Sequence, residues 1–293
     1  MADVTDAFIR LRGLNFHYRD WGGHGQLMVL LHGLASTCRI WNAVAPHLAT
    51  RFWIVALDQR GHGESDKPED GYDFDTIAAD LHAFVEALGL ERPVLVGHSW
   101  GGNVALHYAA LRPEVPRGLV LVDGGFLELA ARPGMTWERV EKELAPPDFS
   151  GMTKEMLLAE AQARELGRIW RPEVEEALLA NFEVADDGTL RPRLRRVHHM
   201  RILRALWEHR PSTLYRRIAC PVLMVAASQA TTDERAARFL EAKRQAVATA
   251  QRLLQRRRLL WMEETIHDVP LHRPQELAQA VADFVGREVS VGS

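Results

Sequence analysis

Val94-Leu95-Val96-Gly97-His98-Ser99-Trp100-Gly101-Gly102-Asn103-Val104-Ala105-Leu106 is the stretch from which the rest of the chain is read. Pro93 opens a short apolar run rich in β-branched residues, the mark of a buried strand, and an apolar helix is expected from Asn103 onward. Between them stands G-x-S-x-G. A serine there sits on a sharp strand-to-helix turn that lifts its hydroxyl clear of the sheet, with glycines where a side chain would collide. Ser99 is therefore the candidate nucleophile.

Outward from this turn the same rhythm repeats. Leu27–Leu31, Phe52–Leu57, Gly118–Val122 and Val222–Ala227 are continuous apolar runs, as expected of strands covered on both faces. Helical spacing separates them: Ile77, Leu81, Phe84, Val85 and Leu88 before the serine turn, and a long helix from about Glu234 after the last run. A hairpin over Phe8–Trp21, turning at Arg12–Asn15, should form one sheet edge, and Leu259–Met262 a final strand before a helix from Pro274. Alternation of this kind implies an α/β fold with a mostly parallel sheet. It breaks between about Phe126 and Arg217, a segment of helix formers, aromatics, prolines and charges with no buried-strand run. The expected division is a core of residues 1–125 and 218–293 and an inserted helical cap of 126–217, with Ala185–Thr189 as a turn inside it.

Composition narrows the function. The 293 residues carry 36 Lys and Arg against 39 Asp and Glu, a net charge of −3 that argues against a nucleic-acid or anionic-membrane partner. The arginines of 191–196 and 256–258 read as solvated faces. Cys38 and Cys220 show no C-x-x-C spacing, and no apolar run reaches membrane-spanning length or forms a leader at the N-terminus. A cytoplasmic protein with a small-molecule substrate, no metal and no cofactor is expected.

His32-Gly33, Asp58-Gln59-Arg60-Gly61-His62-Gly63-Glu64-Ser65 and Gly97-His98-Ser99-Trp100-Gly101-Gly102 together resemble the α/β-hydrolase superfamily, and His267-Asp268 supports the likeness. The resemblance covers nearly all of the chain outside the cap. It implies an eight-stranded sheet, a Ser–acid–His triad and a lid over the site. It also places the catalytic histidine after the last strand, at His267, in the chain order Ser, acid, His. Relatives with dehalogenase or epoxide-hydrolase activity use aspartate as nucleophile, so Ser99 argues against both.

The acid has two candidates. Most family members take it from the end of the strand that here is Val222–Ala227, yet Ser228-Gln229-Ala230-Thr231-Thr232 offers no carboxylate before Asp233. Thr231 and Glu234 have capping-box spacing, which would put Asp233 in a first helical turn. Asp123 directly follows the strand after the elbow helix, a place from which some members supply the acid, and it is preferred, with Asp233 the alternative. The oxyanion hole is expected at the backbone N–H groups of Trp100 and Leu34. Of the other histidines, His98 is expected to pack on the far side of its strand, His32 and His62 to serve loops, and His198 and His199 to face solvent. A cofactor-independent carboxylesterase for a small or medium apolar acyl group is the reading. Amide cleavage as in prolyl-iminopeptidase-like enzymes, C–C hydrolysis, lactone opening and perhydrolysis stand as alternatives, and a non-catalytic receptor on the same fold stands as one of another class.

Overall fold

The computed structural model of the chain describes residues 4–132 and 134–289. Eight strands form one sheet: β1 (Thr5–Leu11), β2 (Leu14–Gly22), β3 (Leu27–Leu31), β4 (Trp53–Leu57), β5 (Val94–His98), β6 (Gly118–Val122), β9 (Val222–Ala227) and β10 (Arg257–Met262). Their spatial order is β1-β2-β4-β3-β5-β6-β9-β10. β1 and β2 pair antiparallel through the two-residue turn Arg12-Gly13, both at positive φ, and β2 meets β4 antiparallel. Every other pairing is parallel. The expected strands and their edge are thus in place, with β5, which carries the serine turn, near the middle.

A strand covered on both faces must be apolar at every position, and β5 shows why. Leu95 packs into one hydrophobic cluster and Val94 and Val96 into another, on opposite sides of the sheet. Helices Phe74–Ala87, Trp100–Leu111 and Glu234–Leu253 feed the first cluster, and Ala45–Leu48 and Pro274–Phe284 the second. Trp100–Leu111 is buried on nearly all sides, which is why its sequence is apolar without an amphipathic stripe. Between β3 and β4 lie a 3₁₀ turn, Cys38–Trp41, capped by Thr37, and a separate short helix, Ala45–Leu48. Pro46 explains the break, because it has no N–H to continue a helix across it.

Residues 123–221 connect β6 to β9. They hold helices Trp137–Glu143, Lys154–Ala163, Pro172–Leu179 and Arg196–Glu208 and an antiparallel pair, β7 (Phe182–Val184) and β8 (Leu190–Pro192). This pair corrects the expectation of an all-helical segment. Three-residue strands are too short for periodicity to reveal. The turn between them does lie at Ala185–Thr189, where Ala185 N–H donates to Thr189 O at 2.8 Å and Gly188 takes φ 81°. A small core of Leu157, Phe182 and Leu190 holds this region together. His198 and His199 are buried rather than solvent-facing, on the inward stripe of their helix with Ile202 and Leu203, and His198 stacks on Tyr72 at 4.7 Å. Among the described residues no helix is long and apolar enough to cross a membrane.

Candidate active site

The parallel strands β5, β6, β9 and β10 end on the same edge of the sheet, where side chains from distant parts of the chain converge. Ser99 stands at the end of β5 with φ 52° and ψ −121°, a conformation that costs a non-glycine residue on the order of 1–3 kcal/mol. The turn is tight enough to dictate its glycines. A Cβ on Gly97 would lie 2.3 Å from Gly101 O, and one on Gly101 would lie 2.4 Å from Leu31 O.

His267 Nε2 is 2.9 Å from Ser99 Oγ, and its Nδ1 is 2.7 Å from Asp123 Oδ2. The three groups form one continuous relay. The Asp123 side chain is sealed from solvent, whereas the His267 side chain is 53% exposed. Burial alone would raise the Asp123 carboxyl. The hydrogen bond and charge of His267, reinforced by Lys243, instead bring it down to about 2. For His267, the protein packed around the ring disfavours the proton, but the bond to Asp123 and its charge outweigh that and raise the imidazole above its ordinary value.

Asp233 takes no part in this relay. It is the N-cap of helix Glu234–Leu253, accepting from Ala236 N–H at 2.7 Å, and lies exposed. The expected capping box is therefore shifted: Asp233 itself is the cap, while Thr231 Oγ1 accepts from Asp233 N–H. A short carboxylate reaches the N3 amide better than a β-branched threonine two residues earlier.

Several supports escaped the sequence reading. His98, expected on the far side of its strand, has its ring 5.0 Å from that of His267, and its Nε2–H donates to His267 O at 2.9 Å. Burial and the neighbouring His267 push its imidazole down to about 4, which keeps it neutral. His272 Nδ1 accepts from Ile266 N–H at 3.1 Å, and Arg171 donates to Leu271 O, so the loop carrying His267 is held on three sides. Lys243, from the helix that Asp233 caps, donates to both Asp123 oxygens at 2.8 Å and to Ala227 O at 3.0 Å. The one available signal was its register. Lys243, Val247, Ala250 and Leu254 share helical spacing, and a lysine therefore occupies a position on the buried stripe.

The loop with Leu34 runs close against the serine turn: a Cβ on Gly33 would stand 3.1 Å from Ser99 Cβ. His32 fixes this loop, its Nδ1–H donating to Gly33 O at 2.7 Å and its Nε2 accepting from Gln59 N–H at 3.0 Å. His62 Nε2 accepts from Ala35 N–H at 3.3 Å, and its ring stacks on Trp100 at 5.1 Å. Trp100 is thereby packed into the interior, 2% exposed, with its side chain turned to structure and its backbone N–H at the first position of the elbow helix. Asp58 anchors the arrangement by accepting from Cys38 N–H, Glu64 N–H and His17 Nδ1–H. His17, Cys38 and Asp58 bring three metal-ligating atoms within 4.8 Å of one another. Both carboxylate oxygens are already occupied by N–H donors, and burial, then Asp58, push the Cys38 thiol well up, so the cluster serves as a hydrogen-bond hub.

Beside Ala35 lies a cavity of about 250 Å³, bounded on the sheet side by Ser36, Thr37 and His62 and on the other by Phe149, Leu178 and Phe182. Its walls are chiefly apolar, and it falls between the core and the 126–217 segment.

A family model described as alpha/beta hydrolase fold matches residues 26–239. Soluble epoxide hydrolase of a Corynebacterium species is 36% identical over 122 residues, 42% of this chain and 42% of that protein. 2-(Acetamidomethylene)succinate hydrolase of Mesorhizobium japonicum is 39% identical over 101 residues, 34% of this chain and 36% of that one. These matches span less than half the length of either relative. The crystal structure of an E-2-(acetamidomethylene)succinate hydrolase superposes with a TM-score of 0.76 at 24% identity, over 97% of this chain and 100% of that one, a likeness of fold.

Proposed function

The chain belongs to the α/β-hydrolase fold family, and from that premise we propose that it is a serine hydrolase acting on a small or medium apolar acyl compound, a carboxylic ester first of all. The observation that carries the reading is the relay from Ser99 Oγ through His267 to Asp123, with contacts of 2.9 and 2.7 Å. His267 takes the proton of Ser99 as its oxygen attacks the acyl carbon. The oxyanion that forms is received by the N–H groups of Trp100 and Leu34, each such donor being worth roughly 3 kcal/mol. The imidazolium then gives its proton to the leaving alkoxide. Water repeats the sequence on the acyl-enzyme, and the free acid departs.

The 126–217 segment acts in this scheme as a cap, and the cavity between it and the core receives the acyl group. At about 250 Å³ it is smaller than the roughly 300–1,000 Å³ that holds drug-sized ligands, which favours a short chain. Epoxide-hydrolase relatives share sequence with this chain, but a serine stands at its elbow, and acyl transfer suits a serine better than epoxide opening. A receptor without turnover would need no carboxylate behind its histidine, and the Asp123–His267 bond supports turnover over that reading. The same acyl-enzyme chemistry on an amide is the second reading, favoured by the relative named for an acetamido substrate.

Hydrolysis of a chromogenic ester series of increasing acyl length, with wild type and Ser99→Ala side by side, tests the proposal. Turnover that is lost in Ser99→Ala and peaks at a short acyl chain is expected. Undiminished saturable hydrolysis by the variant would refute the mechanism.

A further inference from the structure

A buried lysine is costly, because its ammonium must leave water, and such a charge persists only where it is paired and hydrogen-bonded. Lys243 is 6% exposed and directs all three of its N–H bonds to one place: Asp123 Oδ1, Asp123 Oδ2 and Ala227 O. Ala227 N–H in turn donates to Asp123 Oδ1 at 2.9 Å. The end of β9, where most family members would supply an acid, here supplies backbone that clamps an acid arriving from β6.

We propose that Lys243 is a positioning residue of the relay, fixing the plane of the Asp123 carboxylate toward His267 and restraining the basicity of the imidazole. This deepens the serine-hydrolase reading and rests on it. An ammonium bridging both oxygens stops rotation about the Cβ–Cγ bond, leaving Oδ2 aimed at His267 Nδ1. It also supplies a fixed positive charge one carboxylate away from the imidazole. Without that charge the carboxylate would hold the imidazolium proton more tightly, and a smaller share of the base would be free to take that of Ser99. The other groups facing His267 are Asp268, its chain neighbour, which favours the proton, and His98, kept neutral behind it. Lys243 is the charged group that opposes protonation.

The test follows the imidazole itself. The His267 ring C–H resonance, assigned by comparison with His267→Gln, is titrated by NMR in wild type, Lys243→Gln and Lys243→Arg. A charge on the order of 5 Å away, in an effective dielectric between water's and about 20, should move the midpoint upward by roughly half a unit to two units in Lys243→Gln. Lys243→Arg keeps the charge and should stay near wild type. The acid limb of kcat/KM for ester hydrolysis should follow the same shift. A merely structural lysine would alter the melting temperature and leave the midpoint in place.

An unmoved midpoint in a folded Lys243→Gln protein overturns the inference, whatever the enzyme hydrolyses. Absence of Ser99-dependent hydrolysis by wild type would count against the hydrolase reading and leave the titration to decide the role of Lys243. Should Lys243→Gln not fold, Asp123→Asn/Lys243→Gln replaces the ion pair by two amides. If Lys243 acts through Asp123, the double variant hydrolyses no more slowly than Asp123→Asn. A further tenfold loss would overturn the proposal.

Discussion

Replacing Asp123 by Asn separates the two candidate acids and can be sized in advance. The transition state places a positive charge on His267, whose Nδ1 is 2.7 Å from Asp123 Oδ2. For charge centres about 4 Å apart at an effective dielectric of about 20, the lost attraction is about 4 kcal/mol, a factor of about 10³ in rate. The amide adds a second penalty. Its NH₂ can face Nδ1 and hold the imidazole with its proton on Nε2, where it cannot accept one from Ser99, and the combined loss should reach about 10⁴-fold in kcat. Stability falls as well, since Lys243 loses its counter-charge; breaking a buried pair from one side costs on the order of 3–5 kcal/mol. The assay is therefore Ser99-dependent ester hydrolysis at a temperature where melting curves show the variant folded. Asp233→Asn is its control. Asparagine caps a helix about as well as aspartate, and this cap is exposed, so rate should stay within a few-fold and stability within about 0.5 kcal/mol. A folded Asp123→Asn within tenfold of wild type, or a thousandfold loss in Asp233→Asn, would refute the assignment.

Two further outcomes follow from the same geometry. The Asp123 carboxyl, held near 2 by His267 and Lys243 against an ordinary 3.8, is a depressed acid. Its contribution is fully present above about pH 4 and is lost as pH falls toward 2, so in denaturant titrations wild type should lose roughly 2 kcal/mol more than Asp123→Asn across that window. Phe149 borders the cavity beside Ala35 and packs edge-on against Phe182 at 4.9 Å. Phe149→Ala should open the cavity and move the preferred acyl chain to longer members of the ester series, while an unchanged optimum would place the acyl group elsewhere.

What could be read without the structure was whatever the chain writes locally. Buried strands announce themselves as unbroken apolar runs, and the serine turn by glycines whose Cβ atoms would strike the backbone. The sheet, the elbow and Ser99 were legible on those grounds. His267 was reached through resemblance and chain order, and Asp123 only as a preference over Asp233. Tertiary structure decided the rest. Asp123 and His267 are 144 residues apart, and Asp123 and Lys243 are 120 apart. No spacing of 2 or 3.6 encodes such a meeting. Helix Glu234–Leu253 looks solvent-facing at its charged positions, and only its docking on the sheet reveals that one lysine points inward to the acid. The burial of His198 and His199 and the position of His98 behind His267 have the same origin. A side chain's own chemistry is fixed by its sequence, but its charge, its partner and its exposure are set by whatever the fold brings against it.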